Sequence, residues 1–134
     1  MSLPLLIIPV LFYFIIAFYS GDMQSVLDSA LIADVILRSG GIWKLTVGDV
    51  FILLTLLILF VEVLKATRVS TVSLIDHGLS TLLFVGCLIS FIVVKEASTS
   101  TFFLITVMTL FDVIAGFSIS LRAARRDIGF PAPT

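Results

Sequence analysis

The chain has 134 residues, of which 60% are hydrophobic and 13% charged, with a net charge of −1 and a mean hydropathy of +1.26. A soluble domain carries roughly 25% charged residues, and a chain this short lacks the interior to hide so much apolar surface, so lipid is the solvent its composition asks for. The near-neutral balance gives no reason to expect nucleic acid as a partner, a single cysteine (Cys87) excludes an intrachain disulfide, and one His with one Cys does not make a zinc site.

A bilayer core of about 30 Å needs about 20 helical residues, and four segments meet that length, at about 3–19, 47–64, 74–94 and 101–121. The first has no internal charge but contains Pro4 and Pro9, and Pro9 predicts a kink because it removes an intrahelical hydrogen bond. It is read as a retained helix rather than a secretory signal. No Lys or Arg precedes its apolar run, and Ala17-Phe18-Tyr19-Ser20 is a poor cleavage site. Between the first two spans, Met23, Val26, Ala30, Ala33 and Leu37 recur at helical spacing, predicting a short interfacial helix over about 22–38, followed by Trp43 at the membrane boundary. Thr46 with Asp49, and Ser73 with Asp76, carry the hydroxyl-x-x-acid pattern that caps a helix N-terminus. Ser98, Thr99 and Ser100 supply a cap for the last span.

The fold expected is an all-α membrane protein: one integral domain over 1–134, with four transmembrane helices plus the interfacial helix. Its natural partners are membrane lipids and other membrane subunits or copies of itself. Lys65, Arg68, Arg122, Arg125 and Arg126 fall on one side of the four spans, and Arg38, Lys44 and Lys95 on the other. Five basic residues against three place both termini in the cytoplasm.

A charged group in hydrocarbon costs about 2.5–3.5 kcal/mol on insertion scales, so Asp112, near the middle of the fourth span, needs a reason. Thr109, Asp112, Gly116 and Ser120 share one helical face. Asp76, Ser80, Cys87 and Ser90 line a face of the third span, and Gly48, Thr55 and Glu62 repeat every seven residues along the second. Folding the last two spans about Ser98 sets Gly116 level with Ser80, and Asp112 one turn from Ser80. Folding the second and third sets Glu62 level with His77. Small and hydroxylic residues let membrane helices approach and bond, so this seam predicts that spans two, three and four pack around an inward Asp112.

Two roles follow. As packing glue, a neutral Asp112 bonds to Thr55, Ser80 or Thr109. As a proton or cation site, Asp112 lies at the midplane with Ser80, Asp76, His77 and Glu62 leading to the cytoplasm, where Glu62, Asp76, His77 and Arg122 make a charge cluster. His77 alone offers at most one axial haem ligand, and is read as a partner of Glu62 or of a lipid phosphate. The triplet Arg122, Arg125 and Arg126 reads as a topology signal meeting anionic headgroups.

The stretches Glu62–Arg68, Ser73–Ser80, Phe111–Phe117 and Arg122–Gly129 resemble a group of small, uncharacterised four-span inner-membrane proteins of Gram-negative bacteria. The resemblance covers spans two to four and implies a bacterial inner membrane, with no activity to transfer. The small multidrug transporters share the size, but their essential acid lies in the first span, which is uncharged here. With no nucleophile–base pair, phosphate loop or metal cluster legible, the chain is expected to be no enzyme and to hold no cofactor. The leading expectation is a non-catalytic accessory, assembly or scaffold subunit acting through helix–helix contacts. The alternative is a homo-oligomeric transporter or channel, proton- or cation-linked, that uses Asp112.

Overall fold

The computed structural model describes residues 4–68 and 74–129, with side chains over 4–65 and 77–118. Among the described residues the chain is mostly helical: α1 (Ile7–Ser20), α2 (Met23–Asp28), α3 (Val47–Arg68), α4 (Leu74–Val93) and α5 (Ser100–Gly129). A two-stranded sheet, β1 (Ala30–Ile36) and β2 (Ile42–Thr46), precedes α3, and a 3-10 turn, Lys95–Ala97, joins α4 to α5.

Local chemistry sets the helix ends. Pro9 falls in the first turn of α1, where a missing N–H leaves no bond unmade; the expected kink loses its reason because the helix begins at Ile7. Gly21 closes α1 in the left-handed conformation (φ 75°), its N–H donating to the Ala17 carbonyl. Thr46 and Asp49 form a reciprocal cap at the start of α3. The Asp49 N–H donates to Thr46 Oγ1 at 3.2 Å, and the Thr46 N–H donates to Asp49 Oδ2 at 3.1 Å. At the head of α5 the Phe102 N–H donates to Thr99 Oγ1 at 3.1 Å. The Ser73 cap lies outside the described residues.

The segment 22–38 departs from expectation. It is helical only over Met23–Asp28; the rest forms an antiparallel hairpin in which Ile36 pairs with Ile42 and Val35 with Trp43. Gly40 (φ 88°) donates to the Leu37 carbonyl, and the Leu37 N–H donates to the Gly41 carbonyl, so Gly40-Gly41 builds the hairpin turn. Helical spacing of Ala30, Ala33 and Leu37 was outweighed by the extended preference of Ile32, Val35, Ile36, Ile42 and Trp43 once a partner strand was in reach.

The long helices alternate in direction. Tyr13 meets Phe51 while Leu5 meets Glu62, so α1 and α3 are antiparallel. Gly48 approaches Thr101 while Glu62 and Asp112 are neighbours, so α3 and α5 are parallel. Phe91 meets Phe103 while His77 meets Gly116, so α4 and α5 are antiparallel. α5 packs against both α3 and α4.

At one end, α1, α3 and α5 meet around Tyr13. Its ring lies 4.9 Å from Phe102 and 5.8 Å from Phe51, and its hydroxyl donates to the Glu96 carbonyl and bonds Thr99 at 2.7 Å. Aromatic pairs at these separations add stabilisation beyond their buried area.

Two helices carry stretches long and apolar enough to cross a membrane, Val47–Lys65 and Ser100–Ser118. Only 22% of the first and 39% of the second are buried within the protein, unlike the core helix of a soluble domain. Ile7–Ser20 and His77–Val93 are shorter apolar helices.

Candidate functional site

Asp112 of α5 is 8% exposed and Glu62 of α3 is 9% exposed. The parallel course of α3 and α5 brings the two carboxyls close enough for their charges to act on one another, with Lys65, one turn beyond Glu62, supplying a nearby cation. The Ser80 hydroxyl of α4 bonds the Asp112 carboxyl. The Leu5 backbone N–H, at the start of the turn leading into α1, donates to Glu62 Oε1. Four segments of the chain therefore converge on one buried pair of acids.

Of the three partners expected for Asp112, Ser80 is the one found. Thr55 and Thr109 are buried as expected, but their hydroxyls donate to their own helices: Thr55 Oγ1 to the Phe51 carbonyl at 2.7 Å, and Thr109 Oγ1 to the Thr106 carbonyl at 2.6 Å. A hydroxyl in an apolar helix satisfies itself this way without a neighbour. Thr106 does the same to the Phe102 carbonyl.

Gly116 marks a close approach of α4 and α5, against His77 instead of the expected Ser80. A Cβ at Gly116 would lie 3.1 Å from His77 Cε1 and 3.3 Å from Nδ1. The His77 ring stacks on Phe117 with centroids 4.8 Å apart and planes at 15°. The register differs from expectation by about one helical turn. The turn between α4 and α5 is centred on the 3-10 residues Lys95–Ala97, not on Ser98. Gly48 marks a second close approach: a Cβ there would lie 3.0 Å from Thr101 Oγ1 and 3.3 Å from the Leu27 carbonyl oxygen.

The side chains of Asp76, Ser120 and Arg122, three members of the expected seam and charge cluster, lie outside the described residues. Among the described residues no three His, Cys, Asp or Glu side chains gather as a metal would require.

Beyond Thr106, towards the Tyr13 end, the interior is closed by Ile105, Phe102, Phe51 and Cys87, all buried. The acid pair is thus confined to one end of the bundle. Chemically, two buried carboxyls with a lysine nearby form a polar cluster in an apolar bundle; the Ser80 bond ties α4 to α5, and the Leu5 bond ties the start of α1 to α3.

Sequence reasoning missed two contributors. Leu5 offers a backbone group, which no side-chain pattern reveals. Tyr13 was visible as the one polar side chain in the middle of an otherwise apolar segment, the signal a buried hydrogen bond leaves. No protein-family model, curated protein or solved structure matches the chain.

Proposed function

We propose that the chain crosses a bacterial inner membrane four times, through α1, α3, α4 and α5, and serves as a non-catalytic accessory, assembly or scaffold subunit acting through helix–helix contacts. The observation that carries this reading is the sorting of side chains. Leu53, Leu54, Leu57 and Phe60 of α3 are each more than half exposed, whereas Thr55 is 0% exposed and Asp112 is 8% exposed. Polar groups inside and large apolar groups outside suit a lipid solvent and oppose an aqueous one. At 1.5 Å per residue the 14 residues of α1 reach about 21 Å. The preceding turn from Pro4 and local thinning of the bilayer make up the difference.

The bond between Leu5 and Glu62 and the alternating helix directions support the same reading. Both termini then face the cytoplasm, by the five-to-three basic asymmetry. A reporter fused after Thr134 reads cytoplasmic and one inserted near Ser29 reads external. Opposite results at both places overturn the orientation, and a mixed pair overturns the span count.

The contact surface for another subunit is the outer face of α4. Gly78 and Gly86 are exposed there with nothing within 4 Å of an added Cβ, in line with the exposed Leu82, Ile89 and Val93. Glycines on an apolar face let a second helix approach closely. In mild detergent the wild-type protein is expected to migrate in an assembly larger than one chain, which Gly86→Leu disperses. A wild type that runs as a lone chain, unchanged by Gly86→Leu, sinks the scaffold reading.

The Glu62–Asp112 pair favours a second reading, a proton- or cation-linked transporter or channel. Flux into liposomes that is present in wild type and lost in a folded Asp112→Asn variant supports it. The plug of Ile105, Phe102 and Phe51 weighs against it.

A further inference from the structure

At the end of the bundle far from Asp112, the first turn of α2 faces the turn between α4 and α5 across a half-open cleft of about 250 Å³. Gly21, Asp22, Met23 and Gln24 form one wall, and Lys95, Glu96, Ser98 and Thr99 the other. We propose that this cleft binds a small zwitterion in which an ammonium is joined to a phosphate, the chemistry of phosphoethanolamine and of the lipid headgroup that carries it.

The walls are held in place before any ligand arrives. Asp22 Oδ1 accepts from the Ser25 N–H and fixes the start of α2. On the other side, Tyr13 holds the Glu96 carbonyl and the Thr99 hydroxyl, and Ser98 Oγ donates to the Lys95 carbonyl at 2.6 Å. A binding group positioned by rigid surroundings loses little entropy when it engages.

Charge decides the ligand class. Lys95 presents a cation, and Asp22 and Glu96 present carboxylates. Among the described residues neither the Lys95 ammonium nor the Glu96 carboxylate makes a hydrogen bond or ion pair. A simple anion would face two carboxylates for one lysine, and a simple cation would face the lysine. A zwitterion satisfies both: its phosphate accepts from Lys95, and its ammonium, with three donors, reaches Glu96 and the remaining oxygen of Asp22. Size agrees. Cofactor and drug-sized ligands occupy roughly 300–1,000 Å³, whereas this cleft, at about 250 Å³, is on the scale of a headgroup.

Position points to a lipid as the source, and this step rests on the membrane-crossing reading. The cleft lies where α1 ends at Ser20, α4 at Val93 and α5 begins at Ser100, the level at which apolar segments give way to polar ones. The exposed Phe18 and Tyr19 lie just below it along α1, where acyl chains would run.

The test uses the full chain purified in a maltoside detergent and native mass spectrometry. Phosphatidylethanolamine and phosphatidylglycerol are offered at equal mole fraction, and soluble phosphoethanolamine is assayed separately by thermal shift. Wild type is expected to retain phosphatidylethanolamine about tenfold over phosphatidylglycerol, the worth of one charge-assisted hydrogen bond. Glu96→Gln is expected to erase that preference, and Lys95→Gln to weaken both lipids. Both variants should keep the wild-type melting temperature, since these side chains line an open turn.

Equal retention of the two lipids by wild type overturns the proposal, as does a Glu96→Gln protein that keeps the full preference. Soluble phosphoethanolamine that stabilises the protein and is displaced by the lipid supports one shared site. Stabilisation by the soluble compound with no lipid retained supports the zwitterion site and overturns its placement at the membrane. If neither binds, the cleft proposal fails, while the reporter fusions decide separately whether the helices cross the bilayer.

Discussion

The helix bundle and the hairpin Ala30–Thr46 sit side by side in the chain and are built on opposite plans. In the bundle, Thr55, Thr109 and Asp112 are buried while Leu53, Leu54, Leu57, Phe60 and Phe111 point out. In the hairpin, Leu31, Ile32, Ile36, Ile42 and Trp43 are all exposed, and only Val35, Leu45 and Thr46 are even half-buried. Each helix closes its backbone bonds within its own segment, so it survives in an apolar solvent without neighbours. Each strand of the hairpin depends on the other, and a lone two-stranded sheet is marginal in water. The bundle therefore carries the stability and the hairpin opens at little cost.

The largest effect is expected at Tyr13, where three helices meet. Tyr13→Ala removes a fully buried ring and is expected to cost about 3–5 kcal/mol in a detergent unfolding titration. Tyr13→Phe keeps the ring, loses the bonds to Thr99 and the Glu96 carbonyl, and is expected to cost about 1 kcal/mol. A tolerated Tyr13→Ala would mean that α1 is not anchored to the rest of the bundle.

Next comes Gly116, which faces the His77 ring. Gly116→Leu forces that ring off Phe117 and is expected to cost about 1–3 kcal/mol more than Ala115→Leu in the same titration. Equal tolerance would show that α4 and α5 do not meet there. At Asp112 the expected effect depends on the replacement. Asp112→Leu strands the Ser80 hydroxyl and costs about 1–3 kcal/mol, whereas Asp112→Asn can still pair with Ser80 and costs less. A folded Asp112→Leu protein as stable as wild type would remove the acid from the packing.

How much of this was legible follows from the same contrast. The start of α3 at Val47, the Thr46–Asp49 cap and the inward face carrying Asp112 and Ser80 were readable, because apolar periodicity and capping are local properties. The register between α4 and α5 was one turn off because it depends on the shape of Lys95–Ala97, which hydropathy does not encode. The roles of Thr55 and Thr109 were overstated, because a threonine on a packed face can bond its own helix as readily as a neighbour. The hairpin was misread although Ile36 and Ile42 flank a Gly-Gly turn. Alanines at helical spacing mimicked an amphipathic face, and pairing between strands is not a property of either strand alone.

The smallest effect, and the sharpest test of the hairpin as an independent unit, is expected at Asp34. It has a φ of 56°, the one described non-glycine residue in the left-handed region, and it sits in the irregular stretch between the Ile32 and Val35 pairings. Aspartate tolerates that conformation better than most residues, and a β-branched residue tolerates it poorly. Asp34→Val is therefore expected to loosen the hairpin by about 1–2 kcal/mol, raising hydrogen exchange at the β1 and β2 amides about tenfold. Asp34→Gly removes the steric penalty but adds freedom to the open chain, and is expected to leave exchange within about threefold of wild type. Trp43 fluorescence should report the Asp34→Val change, because Trp43 pairs with Val35 next to the substituted residue. In both variants the unfolding of the bundle should stay at its wild-type midpoint, since the exposed Asp34 holds no long helix. A bundle midpoint that falls with Asp34→Val would show that the hairpin and the helices unfold as one unit, and the division between them would be lost.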